Sequence, residues 1–143
     1  MICHMYETDQ MPEQVHFLYS TKLVEKKSTP SDVLFLPRLK TIAGYHSQRM
    51  KLDVFFTGIS TEATHDGRFT DKVSTEEVNP RSLQYHFGRM MEKDLLKAIG
   101  RIEQRTSTVC YVCGPPTMTD EIVQFLQSQE GMEDTRVLCE KWW

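Results

Sequence analysis

Apolar residues gather into four short runs, at 15–20, 52–57, 108–113 and 136–139, each rich in β-branched or aromatic side chains. The runs are apolar on both faces instead of alternating, the pattern of strands covered on both sides in a parallel sheet. Stretches with helical spacing lie between them. Ser31 and Asp32 can cap a helix through Val33, Leu34, Leu36, Leu39 and Ile42, with Pro37 splitting it into two pieces. Residues 82–99 set Leu83, Phe87, Met90, Met91, Leu95 and Ile99 at helical spacing, with Gly88 as a weak point. Thr117 followed by Asp120 resembles a capping box, Met118, Ile122, Phe125 and Leu126 line one face, and Gly131 supplies the stop. Residues 60–80 are polar, broken by Gly67 and Asn79-Pro80, and read as a loop with a short extended piece at Arg68-Phe69-Thr70. Strand and helix alternate, which predicts an α/β fold: an open parallel sheet of about four strands flanked by helices.

Composition narrows the function. With 39% apolar and 26% charged residues the chain is that of a globular protein. Its net charge of -3 leaves no basic stripe for a phosphate backbone, so nucleic acid is not an expected partner. No apolar run approaches the roughly 18 residues of a membrane span. Residues 1–10 contain Glu7 and Asp9 and no Arg or Lys, unlike a secretory signal or a transit peptide, so no targeting segment is read here. Four scattered cysteines, Cys3, Cys110, Cys113 and Cys139, read as free thiols.

The most informative string joins the run at 108–113 to the helix after it, through Cys113-Gly114-Pro115-Pro116. Ligands of open α/β sheets bind at the carboxyl ends of the strands, and a helix start adds free N–H groups and a positive dipole end. Gly114 would let a flat ring approach the backbone, and the prolines hold the turn without needing donors. A rigid turn with no ligand fits the local pattern as well, and both readings stay open at this point. Cys110 and Cys113 have Cys-x-x-Cys spacing, but strand residues three apart point to opposite faces, and no second pair completes a zinc site. No metal site is therefore expected. Cys113 is the thiol of interest and Cys110 a core residue. His16, inside a strand, reads as a satisfied core histidine. The terminal Trp142 and Trp143 either pack on a sheet edge or offer a flat surface to an aromatic partner.

Cys113-Gly114-Pro115-Pro116 followed by Met118 resembles the Cys-Gly-Pro-Pro-x-Met signature of ferredoxin-NADP reductase-type flavoenzymes. The ending Glu140-Lys141-Trp142-Trp143 is similar to one branch of that family, oxidoreductases with an NAD-binding domain. Leu18-Tyr19-Ser20-Thr21, followed by Ser31-Asp32-Val33-Leu34-Phe35, resembles the family's second strand and helix. Gly67-Arg68-Phe69-Thr70 resembles the Gly-Arg-hydrophobic step after its third strand. The resemblance implies a Rossmann-like, five-stranded parallel sheet that binds NAD(P)H and passes a hydride to FAD on a preceding barrel domain. It places Cys113, as the catalytic candidate, with Gly114, Pro115, Pro116 and Met118 around the nicotinamide. Ser20, Thr21, Lys22, Thr57 and Gly58 come to the adenosine end, and Trp142 or Trp143 lies near the flavin. For the parent protein it implies a mitochondrial location, with the cytoplasm as the alternative.

Departures from the family qualify this. Its first strand ends in a Gly-Gly-x-Gly phosphate loop, whereas the closest of the seven glycines here, Gly58 and Gly67, are nine positions apart. Residues 1–10 resemble the tail of the helix that follows that loop, with 1–14 as its remnant and linker. The family's flavin-binding Arg-x-Tyr-Ser/Thr string does not occur. Thr57-Gly58-Ile59-Ser60 lacks the Ser-Arg pair of NADP-specific members, which tilts the expectation toward NAD. The chain thus reads as a partial NAD-binding domain over 1–143, a shortened isoform or fragment inactive alone, with FAD reached only through a separate flavin domain. In the family's sheet order the missing strand is central, so two apolar strand edges are expected to be open. The alternative is a non-enzymatic module that docks on a protein partner through those edges or the tryptophan tail.

Overall fold

In a computed structural model of the chain, residues 1–22, 33–58 and 82–140 are described. They form two compact units, 1–90 and 91–143.

The first unit is built on three parallel strands: β1 (Val15–Lys22), β2 (Met50–Thr57) and β3 (Leu83–Phe87), in the order β1-β2-β3. β2 is central and buried on both faces, as its apolar run requires. Helix α1 (Ile2–Glu7) precedes the sheet and α2 (Leu36–Tyr45) connects β1 to β2. Leu36, Leu39, Ile42 and Ala43 of α2 recur at helical spacing and pack with Met50, Leu52, Val54 and Phe56, the alternate residues of β2. Pro37 does not split a helix. It sits in the first turn of α2, where its missing N–H removes no helical bond, and Phe35 ahead of it takes a left-handed φ of 64°. Ser31 and Asp32 lie outside the described residues.

The expected helix over 82–99 is instead a strand followed by a helix. β3 takes Leu83–Phe87, and α3 begins only at Glu92 and ends at Ile99. Gly88, with φ +133°, turns the chain out of β3 while its N–H still donates to the Phe56 carbonyl at 2.9 Å. Leu83 and Phe87, four positions apart, share one face of a strand as readily as one side of a helix, so spacing misassigned them. The N-terminus of α3 is closed by Asp94, whose carboxylate accepts from the Met91 N–H at 2.9 Å.

The second unit comprises α3, the short helix α4 (Ile102–Arg105), β4 (Cys110–Cys113), α5 (Pro116–Gln127), a 3-10 turn at Asp134–Arg136 and β5 (Val137–Glu140). β4 pairs with β5 in parallel, Cys110 opposite Val137 and Cys113 opposite Glu140. The α/β class and the parallel pairing agree with the sequence reading, but the described residues form five strands, in a three-stranded and a two-stranded sheet. Among the described residues β1 and β4 each pair on one side only. No described helix is long and apolar enough to cross a membrane.

Candidate functional site

In the second unit, β4 delivers Cys113 to its carboxyl end and the chain turns at Gly114 into α5. Residues alternate along β4, with Val112 buried, Cys110 half-buried, and Tyr111 and Cys113 exposed. The two cysteines of the Cys-x-x-Cys string therefore point to opposite faces, and all four cysteines are free. Burial pushes the Cys110 thiol pKa up, which keeps it protonated and inert, whereas Cys113 stands at the surface.

The helix opens earlier than a Thr117 cap would place it. Pro115 is the N-cap and Pro116 the first helical residue, so Thr117 is already in the first turn and makes no capping bond. The side chain that ties the corner is Thr119, fully buried, whose Oγ1 donates to the Gly114 carbonyl at 3.1 Å. Gly131 lies beyond the C-cap Ser128 and so does not stop the helix.

The corner also shows why position 114 is glycine. A Cβ built there would fall 2.1 Å from the Met118 Cε, so the Met118 side chain lies against the bare Cα. A flat ring stacked on Gly114 must displace that methyl group, which an unbranched thioether with three rotatable bonds allows. Across the two-stranded sheet the Tyr111 hydroxyl donates to Glu140 Oε2. That hydrogen bond, with smaller contributions from desolvation and nearby charge, pushes the Tyr111 pKa up to about 12. Trp142 and Trp143 lie outside the described residues.

In the first unit, Ser20, Thr21 and Lys22 close β1 and Thr57 and Gly58 close β2, so parallel pairing gathers them at one rim. Lys22 is in register with Thr57, and Thr57 Oγ1 donates to the Thr21 carbonyl at 3.3 Å. Ser20, Lys22 and Gly58 are exposed. Gly67-Arg68-Phe69-Thr70 lies outside the described residues, but a second Gly-Arg-hydrophobic step, Gly88-Arg89-Met90, directly follows β3. The tell-tale was a second copy of the same three-residue pattern.

Sequence reasoning missed a polar cluster on this sheet. Asp53, in the middle of β2 and 2% exposed, accepts from His16 Nε2 at 2.5 Å and from His86 Nε2 at 2.7 Å. Lys51 Nζ is 4.0 Å away. Burial works to raise the Asp53 pKa, but the hydrogen bonds from His86 and His16, with the charges of His16 and Lys51, outweigh it and hold the carboxyl below its usual range. His16 is thus a satisfied strand histidine, and one carboxylate fastens all three strands. The signal was an acid inside an apolar strand and histidines in two others.

A surface depression of about 290 Å³ on α2, lined by Lys40, Thr41, Gly44 and Tyr45, includes none of the residues singled out by sequence. No group of three or more His, Cys, Asp or Glu among the described residues is arranged to hold a metal ion.

Part of the chain is similar to curated proteins. Over 56 residues it is 41% identical to "Oxidoreductase NAD-binding domain-containing protein 1" of Xenopus laevis, covering 39% of this chain and 16% of that protein. Over 70 residues it is 33% identical to the Danio rerio protein of the same name, covering 48% of this chain and 24% of the relative. The Pongo abelii protein of that name is 32% identical over 69 residues, 48% of this chain and 20% of the relative. The matches thus span no more than a quarter of these relatives. No family model matches the chain, and no solved structure matches it.

Proposed function

We propose that this chain is a nicotinamide-nucleotide-binding portion of an NADH-dependent flavin oxidoreductase, one that binds NADH and does not complete hydride transfer by itself. The reading is carried by one observation: the exposed Cys113 at the carboxyl end of β4, followed by the Gly114-Pro115 turn and the start of α5. The oxidoreductase NAD-binding name of its relatives supports it.

Each residue has a role within its own unit. Gly114, Pro115, Pro116 and Met118 form the seat of the nicotinamide, where Met118 swings aside and then packs on the ring. Thr119 holds the Gly114 carbonyl and so fixes the turn before the ring arrives. Cys113 borders the ring and limits water at its edge. Ser20, Thr21, Lys22, Thr57 and Gly58 take the adenosine end, with Trp142 or Trp143 near a flavin. Bound NADH would supply a hydride from its nicotinamide ring, and FAD belongs to a separate flavin domain.

Titrating the 143-residue chain with NADH while following tryptophan fluorescence tests the reading. A saturable change is expected, and a folded chain that gives none at millimolar ligand would overturn it.

A second reading is favoured by the edges of β1 and β4 that no described strand covers: a non-enzymatic module that pairs with another protein by strand addition. An elution volume that does not move with concentration, in size-exclusion chromatography of the chain alone and with candidate partners, counts against it.

A further inference from the structure

The Asp53 cluster reaches the same rim as the residues assigned to adenosine. Phe55 is in register with Ser20 on one side and His86 on the other, and Thr57 with Lys22. Side chains alternate along each strand, so Ser20, Lys22, Phe55, Thr57 and His86 share the sheet face that carries Asp53. His86 is the penultimate residue of β3, its side chain 32% exposed against 15% for His16. Its ring is held flat on Phe55, with centroids 4.5 Å apart and planes 13° from parallel.

The carboxylate decides what this imidazole can do. An ionised Asp53 only accepts hydrogen bonds, so the His86 Nε2 facing it must carry the proton. In the neutral ring Nδ1 then holds a lone pair, and no described residue occupies it. A lone pair fixed this way accepts from a hydroxyl group. It cannot bond a phosphate oxygen, which is itself an acceptor. Asp53, the acid on this face, is buried and spent on its two histidines.

We infer that His86 Nδ1 is the acceptor for a ribose hydroxyl of the bound nucleotide, with Asp53 as the positioning residue that fixes its tautomer. This rests on the nucleotide-binding reading above and names a contact within it. The rim would then favour a ribonucleoside over one whose sugar lacks hydroxyl groups, whether or not a phosphate is attached.

The test uses the full chain with adenosine and with 2′,3′-dideoxyadenosine, following the side-chain nitrogen resonances of both histidines by NMR. His16 is the internal reference, since it shares Asp53 but sits opposite Lys51, away from the rim. Adenosine is expected to shift His86 Nδ1 and leave His16 nearly still, and to bind about tenfold more tightly than the dideoxy compound, the equivalent of one hydrogen bond. Equal affinities, a His86 Nδ1 that does not move, or equal shifts at both histidines would overturn the inference. If that happens while NADH still gives a saturable fluorescence change, the nucleotide-binding reading stands without this contact. If NADH also fails to bind, both fall. Because His86→Gln disturbs Asp53, the comparison of nucleosides on the unaltered protein is the deciding one.

Discussion

Asp53 joins all three described strands of the first unit. A buried carboxylate costs several kcal/mol to desolvate unless it is paired, and two imidazole donors provide the pairing here. Asp53→Ala should lower unfolding stability by about 3–5 kcal/mol, read from urea denaturation. The acid dependence follows from the sign of the shift. Because its folded pKa is depressed, Asp53 contributes fully above the unfolded value of about 3.9, and the contribution is lost as pH falls through the lower folded value. Denaturation curves between pH 6 and pH 2 should therefore lose stability more steeply in the native protein than in Asp53→Asn. Tyr85 is the opposite case. Its hydroxyl is buried without a hydrogen-bond partner among the described residues, and burial pushes its pKa up. Tyr85→Phe should raise stability by about 1 kcal/mol, seen as a higher denaturation midpoint. Neither residue stood out in the sequence. A lone Asp in Leu52-Asp53-Val54-Phe55-Phe56 gives no sign of its partners, which lie 37 and 33 positions away. The Cys113 corner was legible because strand end, glycine, prolines and helix are all local.

Elements were readable where their signals are local and misread where two periods coincide. β1, β2, β4 and β5 fall on the four apolar runs, with ends moved by one or two residues. β3 was hidden because Leu83, Phe87, Met90 and Met91 satisfy a helical repeat across Gly88. The conformation of Gly88 is what separates strand from helix, and a φ of +133° is open to glycine alone. Gly88→Ala should cost about 1–3 kcal/mol through backbone strain, since beyond its chain neighbours no described residue lies within 4 Å of the added methyl group. Gly114→Ala should behave differently. Its new methyl runs into the flexible end of Met118 and meets Thr119 Oγ1 at an ordinary 3.8 Å, so thermal stability should change little, while the methyl itself takes up the ring seat and NADH titration should show binding lost. A stability loss as large as that of Gly88→Ala would mean that the corner is a structural turn.

At the scale of the molecule, the α/β class and the parallel pairing were legible, but the division into two sheets was not. A sheet's continuity depends on which strands are neighbours, and apolar runs carry no information about that. Two parallel strands form a small sheet, and β4 and β5 leave Tyr111 and Leu138 exposed on one face. Leu39→Ala, in the core of the first unit, should cost about 2–5 kcal/mol there, measured as lost amide protection in α2 and β2.

The carboxylate that ties the three strands together also sets an order of events during synthesis. On a ribosome, the segment carrying Asp53 emerges well before the one carrying His86, and translation adds roughly 5–20 residues per second. For that interval of seconds the carboxylate has at most one imidazole to satisfy it, so it keeps its water and resists burial. An unpaired carboxylate opposes closure of the first two strands, and a translational pause between those codons would lengthen the exposure of the unfinished sheet to chaperones.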